Sequence, residues 1–245
     1  MQNPQELIIG RNPVSEALKS GRPVDCLYIA KGNRNGLLEA LAAKGRESGV
    51  TVKYVDIKKL DFMCGHGNHQ GVAAAAAVRE YASLDDLFAL AESRGEAPLL
   101  VICDEIEDPH NLGSVIRCAD AAGAHGVIIP ERRSATLTYA AGKASAGAVE
   151  YVPVAKVKNL VACIGELKER GVWIFGADTS GRNWFEHDFT GPCALVIGSE
   201  GKGLGRLVRE KCDFLVSLPM KGRIDSLNAS VAAGIILYEA ARQRL

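Results

Sequence analysis

The sequence predicts an α/β protein in two parts, a small α/β front unit over residues 1–78 and a larger domain over 99–245 built on a mostly parallel sheet. Three observations lead there. Near-continuous apolar runs recur from Leu99 onward, at Leu99–Cys103, Gly126–Pro130, Val149–Val154, Val172–Ala177, Ala194–Ile197 and Phe214–Leu218. Such runs suit strands buried on both faces. Helical spacing falls between them, in Leu112, Val115, Ile116 and Ala119 and again in Leu227, Val231, Ile235 and Tyr238. Ahead of Val78 the elements are shorter, and a polar stretch over 79–98 reads as a linker.

In chain order, the front unit is expected to carry a helix at Pro13–Lys19, a strand at Cys26–Ala30, a helix at Gly36–Ser48, a strand at Val50–Val55 and a small-residue strand at Gly71–Val78. Ser83 is placed to cap a short helix through Leu84-Asp-Asp-Leu-Phe88, because its hydroxyl can accept from a free backbone N–H of the first turn. Ala91–Pro98 has the Gly, Pro and charge of a connector. No internal repeat stands out, although Ala73–Ala77 is an alanine run.

Composition narrows the class. Hydrophobic content of 47% with 24% charged residues is ordinary for a folded globular chain. No apolar stretch approaches the roughly 18 residues of a membrane span, and the start has neither a basic nor an apolar signal region. Cytoplasm is the expected compartment. The seven cysteines are scattered without a C-x-x-C pair, so reduced thiols are expected. Cys64-Gly-His66-Gly-Asn-His69 holds metal-ligand residue types, but no fourth ligand sits nearby, and no metal is expected. Net charge is zero, yet the front unit carries ten Lys and Arg against seven Asp and Glu, a weak positive bias.

Three loops carry chemistry. In Asp108-Pro109-His110-Asn111-Leu112-Gly113, Asn111 is placed to cap the helix that follows, and Arg117 adds a guanidinium able to fork a phosphate. In Gly198-Ser-Glu200-Gly201-Lys-Gly203, glycines permit close backbone approach, and Glu200 between them is a positioned acceptor or a solvated charge. That loop fits neither the dinucleotide nor the P-loop glycine pattern. In Leu218-Pro219-Met220 through Ser226-Leu227-Asn228-Ala229-Ser230, there are more small polar residues than one helix cap requires. Together they point to a nucleotide-like cofactor site with an RNA substrate beside it.

NxGxxxR, the GSEG loop and the SLNxS segment resemble the three motifs of the SpoU, or TrmH-like, branch of the SPOUT RNA methyltransferases. The match runs in order from Leu99 to Arg244. The front unit, with Ile9-Gly-Arg-Asn-Pro near its start and His69-Gln-Gly-Val before its closing strand, resembles the branch's substrate-binding domain, which has a ribosomal-protein-like fold. The nearest group is the bacterial 23S rRNA guanosine-2′-O-methyltransferases.

The resemblance implies S-adenosylmethionine as cofactor, bent into a C-terminal trefoil knot and contacted around Gly198, Gly201, Leu218, Met220 and Leu227, with Ala177 and Thr179 near its adenosine. It implies a catalytic set of Asn111, Arg117, Glu200, Ser226 and Asn228, RNA contacts at Arg11, Asn12, His69 and Gln70, and a homodimer whose active sites are completed across the interface. Arginine remains protonated in nearly every protein setting, so Arg117 is expected to clamp and to stabilise charge, with Glu200 and Asn228 orienting it and the cofactor. Two other readings stay open: a tRNA ribose methyltransferase of the same branch, and a non-catalytic RNA-binding or ribosome-assembly factor.

Overall fold

A computed structural model describes residues 5–22, 24–32, 36–77 and 80–245. The front domain runs β1 (Gln5–Ile9), α1 (Arg11–Lys19), β2 (Val24–Ala30), α2 (Gly36–Glu47), β3 (Thr51–Val55), α3 (Ile57–Met63) and β4 (Val72–Ala77). Its four strands lie in the order β1-β4-β2-β3, with β4 antiparallel to both neighbours and β2 parallel to β3. The alanine run now has a reason. On one side of the central strand β4, Ala74 and Ala76 pack with Val14, Leu18, Leu38 and Leu41 of α1 and α2. On the other, Ala73 packs with Leu60 and Cys64 at α3. Methyl side chains let helices close on both faces. The expected end of this strand at Val78 lies outside the described residues. Sequence reading passed over β1 and α3, each too short for its period to register.

The larger domain runs α4 (Leu84–Arg94), β5 (Leu99–Cys103), α5 (Pro109–Ala121), β6 (Gly126–Pro130), α6 (Tyr139–Ala144), a 3-10 turn (Ala148–Glu150), β7 (Val154–Val157), α7 (Leu160–Glu169), β8 (Trp173–Asn183), a second 3-10 turn (Trp184–Glu186), β9 (Cys193–Ile197), α8 (Arg206–Lys211), β10 (Phe214–Ser217) and α9 (Ala229–Gln243). Six strands in the order β10-β8-β9-β5-β6-β7 are all parallel. Alternate residues of β5 face opposite layers. Leu99, Val101 and Cys103 pack with α5 and α9, while Leu100 and Ile102 pack with α4, α7 and α8.

Ser83 does cap α4, in a reciprocal box with Asp86. The helix then extends to Arg94 before Gly95 stops it, and Leu87 and Ala91 are buried in the sheet's lower layer. The Val149–Val154 run is not one strand. It divides into the 3-10 turn and β7, because Pro153 has no N–H to give a ladder. The helical stripe Val231, Ile235 and Tyr238 of α9 faces outward, at 48%, 36% and 56% exposure, while Ala233, Ile236, Leu237 and Ala240 make the core face. Among the described residues no helix is long and apolar enough to cross a membrane.

Candidate active site

The sheet topology places the site. From β5 the chain moves outward through β6 to β7, then returns to β8 and inserts β9 between β8 and β5. Ligands of open parallel sheets bind beyond the carboxyl ends of strands where the order reverses. The middle of β8 and the loops after β9 and β10 converge there around a cavity of about 450 Å³, within the usual range for a small-molecule site.

Each loop is held by identifiable contacts. The glycine loop closes on itself, Ser199 and Gly203 exchanging backbone hydrogen bonds of 3.1 and 2.9 Å. A Cβ at Gly198 would sit 2.2 Å from the Gly203 carbonyl carbon, so only glycine allows this closure. Behind the loop, the Gly205 N–H donates to the buried Asp104 carboxylate at 2.7 Å. Burial pushes the Asp104 pKa up, against the Gly205 hydrogen bond, and neighbouring Glu105 adds to the rise.

Helix α5 begins earlier than sequence reading expects. Asp108 is its N-cap, accepting from the His110 N–H at 2.8 Å, and Pro109 occupies the first turn. Asn111 is therefore not the cap. It stands inside the first turn with its amide free to face the glycine loop, donating to Glu200 Oε1 at 3.0 Å. Asn228, the N-cap of α9, works twice. Its Oδ1 accepts from the N–H groups of Ser230 and Val231, while its Nδ2 donates to Asn111 Oδ1 at 2.9 Å and to Glu200 Oε1. Residues 111, 200 and 228 thus close one hydrogen-bonded cluster from three distant segments.

Ala177, Thr179, Gly198, Gly201, Leu218, Met220 and Leu227 all line the cavity, as do Glu200 and Ser226. Asp178, Lys202, Asp225, Ala232 and Ile236 line it too, and sequence reading missed them. Asp225 had a legible signal in its strand-end loop, whereas Asp178 lies within β8 and Ala232 and Ile236 look like ordinary helix residues. Burial works to raise the Asp178 pKa, but hydrogen bonds from Ser180 and Arg209 prevail and lower it. A second pocket of about 270 Å³ adjoins, lined by Glu105, Glu107, Asp108 and Asn111 and sharing Ser199, Glu200 and Lys202. Among the residues lining the two, Lys202 is the only cation.

Arg117 lines neither space and is exposed on α5. Within one chain it does not join Asn111, Glu200 and Asn228. Six positions past Asn111, it points to a different side of the helix.

In the front domain, Arg11 and Gln70 are joined. The Arg11 N–H donates to Gln70 Oε1 at 3.2 Å and its Nε to the Gln70 carbonyl at 3.0 Å. Asn12 and Gln70 are exposed, whereas His69 is buried. The Gly71 N–H donates to His69 Nδ1 at 2.9 Å, which leaves Nε2 to donate to Asp61 at 2.8 Å. His69 therefore has no ring nitrogen left for RNA and serves to hold the loop beneath Gln70. Burial raises the nearby Cys64 thiol to about 11, and among the described residues no group of three or more His, Cys, Asp or Glu is placed to hold a metal.

With this geometry in view, comparison with known proteins is decisive. Residues 98–238 match the SpoU rRNA methylase family and residues 7–82 the RNA 2′-O ribose methyltransferase substrate-binding family. The chain belongs to the SpoU methylase family. The TrmH-family protein YacO of Bacillus subtilis is 52% identical over all of this chain and 98% of its own length. The SpoU methyltransferase AviRb of Streptomyces viridochromogenes, solved with AdoMet, is 31% identical at a TM-score of 0.82, covering 98% of this chain and 90% of that one. An AdoMet-bound rRNA methyltransferase from Sinorhizobium meliloti is 29% identical at 0.81, covering 98% and 88%. In this SpoU chain, the cavity is bordered by residues of 177–179, 198–203 and 218–227, and the cluster of 111, 200 and 228 lies at its edge.

Proposed function

We propose that this protein transfers a methyl group from S-adenosylmethionine to a ribose 2′-oxygen of RNA, at a guanosine of 23S rRNA, acting as a cytoplasmic homodimer. The observation that carries this reading is the joining of Asn111, Glu200 and Asn228 at a cavity whose charged lining is acidic but for Lys202. Asp178 is ion-paired with Arg209, but the carboxylates of Glu200 and Asp225 complement a cationic small molecule, and S-adenosylmethionine carries a sulfonium. Bound there, the cofactor supplies an activated methyl on sulfur.

The chain's own residues position and polarise. Backbone at Gly198, Gly201, Leu218, Met220 and Leu227 holds the donor, with Ala177 and Thr179 at its adenosine end. Asn111, Asn228 and Ser226 orient Glu200 and the ribose. A ribose hydroxyl receiving that methyl would release its proton to solvent and pass through negative charge on its oxygen, and an acidic surface would disfavour that charge. Among the described residues lining the two pockets there is no guanidinium to offset it. Arg117 is exposed on α5, next to Cys118, which packs against Gly234 of α9, and the outward stripe Val231, Ile235 and Tyr238 is apolar. A second copy covering that stripe brings its own Arg117 to the site as clamp and charge stabiliser.

Arg11, Asn12 and Gln70 make the RNA face of the front domain, with His69 beneath. The preference for rRNA over tRNA is supported by the Sinorhizobium meliloti rRNA methyltransferase aligning over 98% of the chain. The knot belongs to the same reading. Its support is that the chain leaves edge strand β10 and returns past the glycine loop to reach Asn111.

Calorimetric titration with S-adenosylmethionine, and primer-extension mapping of RNA from cells lacking the protein after treatment with enzyme and cofactor, test the proposal. Cofactor binding with a new stop at one 23S guanosine is expected. Failure to bind the cofactor overturns the reading, and stops on tRNA alone move the substrate to that RNA.

A further inference from the structure

Away from the cavity, two polar contacts between distant segments join the two domains. Arg22, at the end of the α1 turn, donates through Nη2 to Glu6 Oε2 of β1 at 2.6 Å and through Nη1 to Glu150 Oε1 of the catalytic domain at 3.0 Å. The Arg22 and Glu150 side chains are only 10% and 3% exposed. The next residue repeats the pattern, Tyr151 donating its hydroxyl to Glu16 Oε2 at 2.6 Å, while Lys19 holds Oε1 of the same carboxylate at 2.7 Å. Gly147, at φ +98°, lies so close that a Cβ would fall 2.5 Å from Glu16 Cγ. Two adjacent catalytic-domain residues, each more than a hundred positions from its partner, thus reach into one end of the front domain.

This contact leads mechanically to the site. Glu150 ends the 3-10 turn that follows α6, and α6 is pressed on α5, where a Cβ at Gly113 would fall 2.3 Å from the Ala141 carbonyl oxygen. Asn111 stands two residues before Gly113 on that helix. A guanidinium suits the joint because its rigid fork serves two carboxylates at once, which an ammonium cannot do at fixed geometry. Separating a guanidinium from a nearly buried carboxylate is unfavourable, so the joint disfavours other docking angles.

We propose that Arg22 and Glu150 are positioning residues for RNA methylation, fixing the angle at which the front domain presents RNA to the Asn111–Glu200–Asn228 cluster. This rests on the methyltransferase reading above. The residues line neither of the two pockets at the site, so cofactor binding is independent of the joint.

The test uses Arg22→Met and Glu150→Gln in the full-length protein, with the double variant Arg22→Met/Glu150→Met, which removes the charges together. Three quantities are measured: S-adenosylmethionine affinity by calorimetry, kcat and KM on rRNA, and solution X-ray scattering. In the single variants the scattering profile is expected to broaden as the front domain leaves its docked angle. Their kcat/KM on RNA falls by about tenfold or more, as misplacement of a reactant does. Cofactor affinity changes by less than about twofold, as expected for separated sites. The double variant recovers the compact profile. Unchanged scattering and RNA kinetics in Arg22→Met overturn the proposal, and so does a loss of cofactor affinity matching the loss on RNA. If the wild-type protein methylates no RNA, the functional reading fails, while scattering still decides whether the joint sets the angle.

Discussion

Asp104 illustrates how one residue serves the site from beneath it. Its carboxylate is buried at the end of β5 and accepts from the Gly205 N–H, so it anchors the far end of the glycine loop. Burial raises its folded pKa above the ordinary value of 3.8, with Glu105 adding to the effect and the Gly205 bond opposing it. The sign follows from linkage. Above its raised pKa, the folded chain holds a charge that the unfolded chain solvates better, so Asp104 costs stability at neutral pH. That cost fades as pH falls through the raised pKa toward the ordinary one. Asparagine keeps an acceptor for Gly205 without the charge. Asp104→Asn is therefore expected to match or exceed the wild-type Tm at about pH 7, with the difference shrinking toward about pH 4. Thermal melts across that range check it, and a pH-independent difference contradicts it. Asn228 shows a second economy at this scale, since one amide both caps α9 and ties Asn111 to Glu200.

Between elements, the α5–α6 contact decides how the site is carried. Gly113 is buried in α5, and a Cβ there would stand 2.3 Å from the Ala141 carbonyl oxygen and 2.6 Å from Ala144 Cβ. In an exposed helix, replacing glycine with alanine gains roughly 1 kcal/mol from propensity. Here backbone must move, and overpacking costs about 1–3 kcal/mol. Gly113→Ala is expected to lower the denaturation midpoint without altering the slope, and to reduce turnover because Asn111 shifts with α5. A gain in stability would mean the two helices part freely. The glycine in NxGxxxR was legible as part of a motif. Its partner was not, because α6 is a six-residue helix in a stretch with no apolar period.

At the scale of the whole molecule, Asn111, Glu200 and Asn228 meet in one chain while Arg117 stands apart from them on the exposed side of α5. If Arg117 acts in a partner's site, two inactive variants repair each other. Mixing Arg117→Ala with Glu200→Ala under conditions that exchange subunits is expected to restore about a quarter of wild-type activity, since half the dimers are mixed and each holds one intact site. Activity measured before and after exchange checks this, and no recovery places Arg117 and Glu200 in the same chain's site. What the sequence alone determined was the chemistry-bearing loops, the parallel sheet and the two-part organisation. Those are written locally, in apolar runs, glycines and the order of three motifs. Tertiary structure decided which face of α9 is buried, that Asp108 rather than Asn111 caps α5, that His69 is buried beneath Gln70, and that Arg117 stands apart from Glu200. The reason is geometric. Periodicity shows that a stripe exists but not which neighbour covers it, and contacts between positions such as 22 and 150 or 111 and 228 exist only once the chain has folded.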